Sequence, residues 1–270
     1  MANAGRGLYN GSVLRALWES AWELLLPSHC AVCGVPAPQG RRFGLCMRCG
    51  EALARLIEVA WCPRCGRGAG PYAMDWDGCA LCRGRRIPYD ALARVGPYKE
   101  PLRTLILAYK YRCRRELAPV LGRLLAERVA LAPWADLVEL VVPVPLHWSR
   151  RIGRGFDQAQ ALAHEVVRAA RRGRIASPEN RPLMARRLLR VRPTAHQTRL
   201  PPSRRLANVR GAFSVRGRDS VAGKHVLLVD DVLTSGATMG ECARMLKRAG
   251  AASVFAAVLA VAGRDEPGPW

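Results

Sequence analysis

The chain has 270 residues, half of them hydrophobic and about a quarter charged, a globular composition that excludes a disordered chain and fits a main domain plus a small one. No apolar run reaches the roughly 18 residues of a membrane-spanning helix, and the first residues lack the charged start and apolar stretch of a secretory signal, so a cytoplasmic protein without a membrane span is expected. The formal net charge is +22, with 39 arginines and only four lysines; GC-rich coding alone produces such a bias, but the resulting field attracts polyanions, phosphorylated metabolites and nucleic acid alike.

In chain order, the first expected element lies within 1–28. Leu14, Leu17, Trp18, Ala21, Leu24 and Leu25 recur at helical spacing and stop at Pro27. Few cations line its polar face, which favours packing on a partner surface over lying on a membrane.

Eight of the ten cysteines then form four C-x-x-C turns: Cys30/Cys33, Cys46/Cys49, Cys62/Cys65 and Cys79/Cys82, separated by 12, 12 and 13 residues. Two such turns supply the four thiolates of a closed tetrahedral zinc site, so eight ligands imply two structural zinc ions. A disulfide framework needs an oxidising compartment, redox C-x-x-C motifs occur singly, and an iron–sulfur cluster needs only four cysteines. The segment 29–86 is too short and glycine-rich to bury a core, so metal stands in for one. Consecutive pairing of the turns is favoured, with a cross-brace as the alternative. His29 reads as a flanking residue, and Cys113 and Cys242 as small buried apolar residues.

From 87 to about 265 the pattern is α/β. Helices are expected over 101–109, 115–131, 157–172 and 237–249, and strands over 137–144, 226–229 and 254–261. Such alternation predicts a mainly parallel sheet with helices on both faces. The most informative stretch is Val226 to Met239. Asp230 and Asp231 follow the apolar run at the carboxyl edge of the sheet, where α/β folds bind ligands. Thr234, Ser235, Gly236, Ala237 and Thr238 then lead into a helix; small residues, hydroxyls and a helix N-terminus suit a phosphate. The aspartates suit ribose hydroxyls or a hydrated Mg²⁺. Gly217 to Lys224 imitates a P-loop, but it has five intervening residues instead of four, and His225 stands where Ser or Thr would bind magnesium.

The acidic pair and its loop resemble the phosphoribosyl-pyrophosphate signature of type I phosphoribosyltransferases, and together with the four C-x-x-C turns the chain resembles the ComF family of competence-associated proteins from about Leu24 to Val261. Pro143 to Leu146, Arg151 with Arg154 to Ala159, and Arg190 to Phe213 extend the likeness; Asp157 departs from it, standing where the family usually has Asn. The resemblance implies a type I phosphoribosyltransferase-like domain preceded by a double zinc ribbon. It implies that Asp230 and Asp231 hold ribose hydroxyls with Mg²⁺ and that Thr234 to Thr238 cradle the 5′-phosphate. Arg150, Arg151, Arg154 and Gly155 would meet the pyrophosphate, and competence-machinery proteins are implied as partners. From Arg181 to Arg218 there are eleven arginines and no acid. This segment reads as a solvated loop, as a lid over pyrophosphate carrying Arg190, Arg192, Thr194, Gln197, Arg205 and Asn208, or as a contact for single-stranded DNA. Transfer of the phosphoribosyl group is the favoured activity. A non-catalytic factor handling single-stranded DNA during uptake is the alternative, and a zinc scaffold alone leaves the acidic pair unexplained.

Overall fold

The computed structural model describes residues 29–37, 44–69, 74–75, 78–80, 82, 84–111, 114–146, 155–173, 175, 181–192 and 202–263. The helix expected over 14–25 lies outside them, as do Cys113, Arg150, Arg151, Arg154, Thr194 and Gln197. The chain divides into two compact units, Met1–Leu53 and Ala54–Trp270.

In the first unit, Cys30 to Gly34 form a tight turn closed by Gly34 N–H donating to the Cys30 carbonyl at 2.9 Å. Cys49 is buried at the start of helix α1 (Met47–Ile57). The second unit opens with the same device 32 residues on: Gly66 N–H donates to the Cys62 carbonyl at 2.8 Å. The isolated bridges His29↔Pro36 and Trp61↔Gly68 repeat at the same offset. A two-residue hairpin, β1 (Met74–Asp75) and β2 (Gly78–Cys79), then presents the third cysteine of this turn set.

The rest of this unit is built on five parallel strands in the order β3-β9-β8-β4-β5: β3 (Ala91–Pro97), β4 (Leu140–Pro143), β5 (Leu183–Met184), β8 (His225–Leu233) and β9 (Ser253–Val261). A two-stranded antiparallel ribbon, β6 (Leu188–Arg190) with β7 (Phe213–Val215), stands apart. The helices are α2 (Leu102–Tyr111), α3 (Ala118–Ala130), α4 (Gln158–Arg171), α5 (Pro202–Val209) and α6 (Ala237–Arg248). Because side chains alternate along a strand, Val226, Leu228, Val254 and Ala256 pack with Cys242, Ala243 and Leu246 of α6. The intervening Phe255 stacks on Trp134, with ring centroids 4.5 Å apart. Cys242 is fully buried, the small apolar residue expected.

Three sequence expectations need correcting. The strand expected over 137–144 is confined to Leu140–Pro143, behind a 3₁₀ turn at Ala135–Leu137. The strand expected to end at Val229 continues to Leu233, with Asp230 paired to Val258 and Val232 to Ala260; the backbone ladder with apolar β9 persists whatever the side chains on β8 carry. β3 escaped notice because Arg94 and Gly96 interrupt its apolar run. The single helix expected over 115–131 opens instead as a 3₁₀ turn at Arg115–Leu117, with proline at the start of α3. The P-loop imitation leads from Lys224 straight into β8, and Lys224 Nζ pairs with Glu139 at 2.7 Å.

Candidate functional site

The C-terminal halves of β4 and β8 open onto a cleft of about 300 Å³. Its lining includes Lys110, Leu146, Arg190, Asp230, Asp231, Thr234, Gly236 and Thr238. Asp230 and Asp231 thus meet Thr234, Gly236, Ala237 and Thr238 in one place, whereas Ser235 is not in the lining and its Oγ accepts the Ala237 N–H at 3.5 Å. Gly236 sits at φ +74°, in the left-handed region that glycine enters without strain, and turns the chain from β8 into α6. That helix has no acid in its first turn and no side-chain N-cap, so its positive end faces the cleft without an acidic side chain of its own to offset it.

The electrostatics of the acidic pair are asymmetric. Asp231 is 8% exposed, and its Oδ1 takes Lys110 Nζ from α2 at 2.8 Å. Partial loss of water from the Asp230 carboxyl, and then the charge of Asp231 beside it, push it up to about 7. The Asp231 N–H, which donates to Asp230 Oδ1 at 2.8 Å, and the Lys110 ammonium oppose that rise without cancelling it. Lys110 went unnoticed in the sequence; only its place on the inner side of an amphipathic helix, opposite an unbalanced acidic pair, signals it.

Gly155 stands elsewhere, in a shallow depression with Arg115, Phe156 and His164. Arg115 donates to its carbonyl and lies over the Phe156 ring at 5.2 Å. Asp157 is the N-cap of α4, accepting the Gln160 N–H at 3.0 Å, so this acid has a local structural use. Of the residues expected in a lid, Arg190 lines the cleft and lies over Phe213 at 5.3 Å. Arg192 donates to the carbonyls of Asn208 and Arg210 at 3.1 and 3.0 Å, tying the ribbon to the end of α5, which also carries Arg205.

Residues 168–270 match the phosphoribosyl transferase domain family. The DNA utilization protein YhgH of Salmonella typhi is 35% identical over 239 residues, covering 86% of this chain and 96% of its own length. Competence protein F of Haemophilus influenzae is 29% identical (77% of this chain, 86% of its own), and competence protein ComFC of Bacillus subtilis 27% identical (78% and 81%). The chain belongs to the ComF family. Among solved structures, the allosteric regulatory enzyme of purine biosynthesis and the Bacillus subtilis glutamine phosphoribosylpyrophosphate amidotransferase match at 22% identity and a TM-score of 0.36; the ComF-family chain spans only 30% of either. The family match over residues 168–270 and the five-stranded parallel sheet make the fold an α/β phosphoribosyltransferase-type domain, with cysteine clusters ahead of it in sequence.

Those clusters are Cys30, Cys33, Cys46, Cys49 and Cys62, Cys65, Cys79, Cys82, the consecutive grouping; exposed His29 joins neither. Sulfur pairs stand at 3.6 Å (Cys33–Cys46), 3.8 Å (Cys62–Cys82), 3.6 Å (Cys65–Cys79) and 3.7 Å (Cys79–Cys82). A tetrahedral Zn–S bond of about 2.3 Å requires edges of about 3.8 Å, so the donor set and its spacing fit zinc. Hydrogen bonding from Cys65 pulls the Cys62 thiol down to about 4, while the same contact pushes Cys65 up; a cation is what allows all four to be thiolates together. The second cluster is fastened to the sheet. Leu92 N–H of β3 donates to the Pro63 carbonyl at 2.7 Å, and Gly66 is so close to Leu92 and Val261 that a Cβ there would stand 2.5 and 2.6 Å from their methyl carbons.

Proposed function

We propose that this cleft binds phosphoribosyl pyrophosphate together with Mg²⁺ and transfers the phosphoribosyl group, and that each cysteine cluster holds a structural zinc ion. The observation that carries the reading is an acidic pair, Asp231 buried and Asp230 half-buried, and a helix N-terminus without an acid in its first turn, sharing one cleft at the carboxyl end of a parallel sheet. Ionised Asp230 and Asp231 accept the two ribose hydroxyls and fix the sugar's orientation. The first-turn amides of α6, with the hydroxyls of Thr234, Ser235 and Thr238, receive the 5′-phosphate. Mg²⁺, when bound, neutralises charge on the departing pyrophosphate. Arg190 adds a cation at the cleft wall, and positioning with electrostatic stabilisation supplies the rest. Calorimetry with phosphoribosyl pyrophosphate, with and without Mg²⁺, tests this: Asp230→Asn/Asp231→Asn should abolish metal-dependent binding, and unchanged binding in that variant overturns the assignment. Metal analysis should return two zinc ions per chain.

A second reading, handling of single-stranded DNA, is favoured by the acid-free segment with eleven arginines from Arg181 to Arg218 and by relatives named for DNA utilization and competence. It predicts oligonucleotide affinity that falls steeply with salt.

A further inference from the structure

A groove of about 750 Å³, more than twice the volume of the cleft, runs between α5 and α6. Arg210, Arg244 and Arg248 border it, with Leu206, Phe213 and Met245 supplying apolar surface. Its acid, Glu241, is 4% exposed and already committed: it accepts the Gly211 N–H at 2.9 Å and two bonds from Arg244 at 3.0 and 2.7 Å. Arg210 and Arg248 are exposed at the groove, and the Arg248 charge lies near enough to Glu241 to help hold that carboxyl low. Leu206, 45% exposed, forms part of an apolar ledge beside them. We propose that this groove is a second ligand site, taking the phosphate of a nucleotide, free or within a strand. Guanidinium groups match phosphate oxygens in bidentate fashion, and an apolar ledge next to cations is the surface on which a base stacks.

The site is wired to the cleft. Phe213 borders the groove, and its ring carries the Arg190 guanidinium, which lines the cleft; α6 runs from one site to the other. An occupant that shifts Phe213 therefore shifts a cleft cation, whatever the cleft itself binds.

The test uses the full chain, thymidine 5′-monophosphate in calorimetry and fluorescein-labelled dodecathymidylate in anisotropy. At least one probe should bind. Arg210→Gln/Arg248→Gln, two exposed positions, should weaken it by about tenfold or more, since each substitution removes a charge-assisted bond to phosphate. If the strand is the ligand, the salt slope should flatten by about 1.4, at roughly 0.7 per phosphate contact on a single strand. Binding of the strand but not the monophosphate identifies the source as nucleic acid, and the reverse as a free nucleotide. Failure of both probes, unaltered affinity in the double variant, or equal arginine-dependent affinity for poly-glutamate overturns the proposal. Phosphoribosyl-pyrophosphate calorimetry on the same variant separates this outcome from the fate of the cleft reading.

Discussion

Replacing Asp230 by Asn should stabilise the protein at neutral pH. The Asp230 carboxyl rises from an ordinary 3.8 to about 7, because burial strips its water and Asp231 places a like charge beside it. The folded state therefore holds a proton that the unfolded chain releases, so stability falls as pH climbs from about 4 to 7 and the penalty is constant above that. At about 1.4 kcal/mol per pH unit, the interval corresponds to roughly 4 kcal/mol at most. Relaxation and the residual opening toward the cleft reduce it, and even half, roughly 2 kcal/mol, moves the melting temperature by about 4–8 °C. Asn is neutral at every pH and escapes the penalty. Thermal melts of wild type and Asp230→Asn by circular dichroism from pH 4 to 8.5 should start nearly together and separate until about pH 7, the variant melting higher. A variant that melts at or below wild type at pH 8, or a gap independent of pH, refutes the argument that this carboxyl is held ionised against its surroundings.

Lys110→Met removes the counterion of Asp231, and with both groups about nine-tenths buried it should cost about 1–3 kcal/mol at pH 8, less than the 3–5 of a sealed pair because the cleft admits water. In an Asp230→Asn background that cost should shrink, a coupling a double-mutant cycle of melts reads directly. Gly122→Ala should destabilise, although alanine usually gains about 1 kcal/mol in a helix: a methyl at Gly122 of α3 would overlap the Cβ of Glu165 on α4, and an unchanged or raised melting temperature refutes that close approach. Cys65→Ser should remove one equivalent of zinc in metal analysis and lower the melting temperature of the Ala54–Trp270 unit, because the turn it closes is hydrogen-bonded to β3.

What the sequence made legible followed strong local periodicity. The helices ending α2, α4 and α6 fell close to their expected bounds, because apolar spacing and stop signals such as Gly250 are local. The extent of β8 was not legible, since its last four residues are held by pairing with β9, a partner more than twenty residues away in sequence. β3 was hidden by Arg94, which is 1% exposed yet carried in a strand, with its guanidinium over Trp61 at 5.8 Å; a buried arginine is intelligible only once its aromatic neighbour is in place. The acidic pair and its loop could be read because strand, acids and helix start are contiguous. Lys110 could not, because its meaning depends on a contact 121 residues away, with Asp231.

That contact also weighs the two functional readings against each other at the cleft. A nucleic-acid phosphate brought to Asp230 and Asp231 would meet two carboxylates, one of them already raised from its ordinary titration by burial and then by like charge. A cation alone would find the acids but would be repelled by the positive end of α6 at Gly236. A ligand carrying hydroxyl donors at one end and an anionic group at the other satisfies both halves of the cleft at once, and a ribose 5-phosphate has that form. DNA phosphates, if they bind, belong on the arginine surfaces outside the cleft, so loss of oligonucleotide affinity in Asp230→Asn/Asp231→Asn would contradict this division, whereas unchanged or slightly tighter DNA binding supports it.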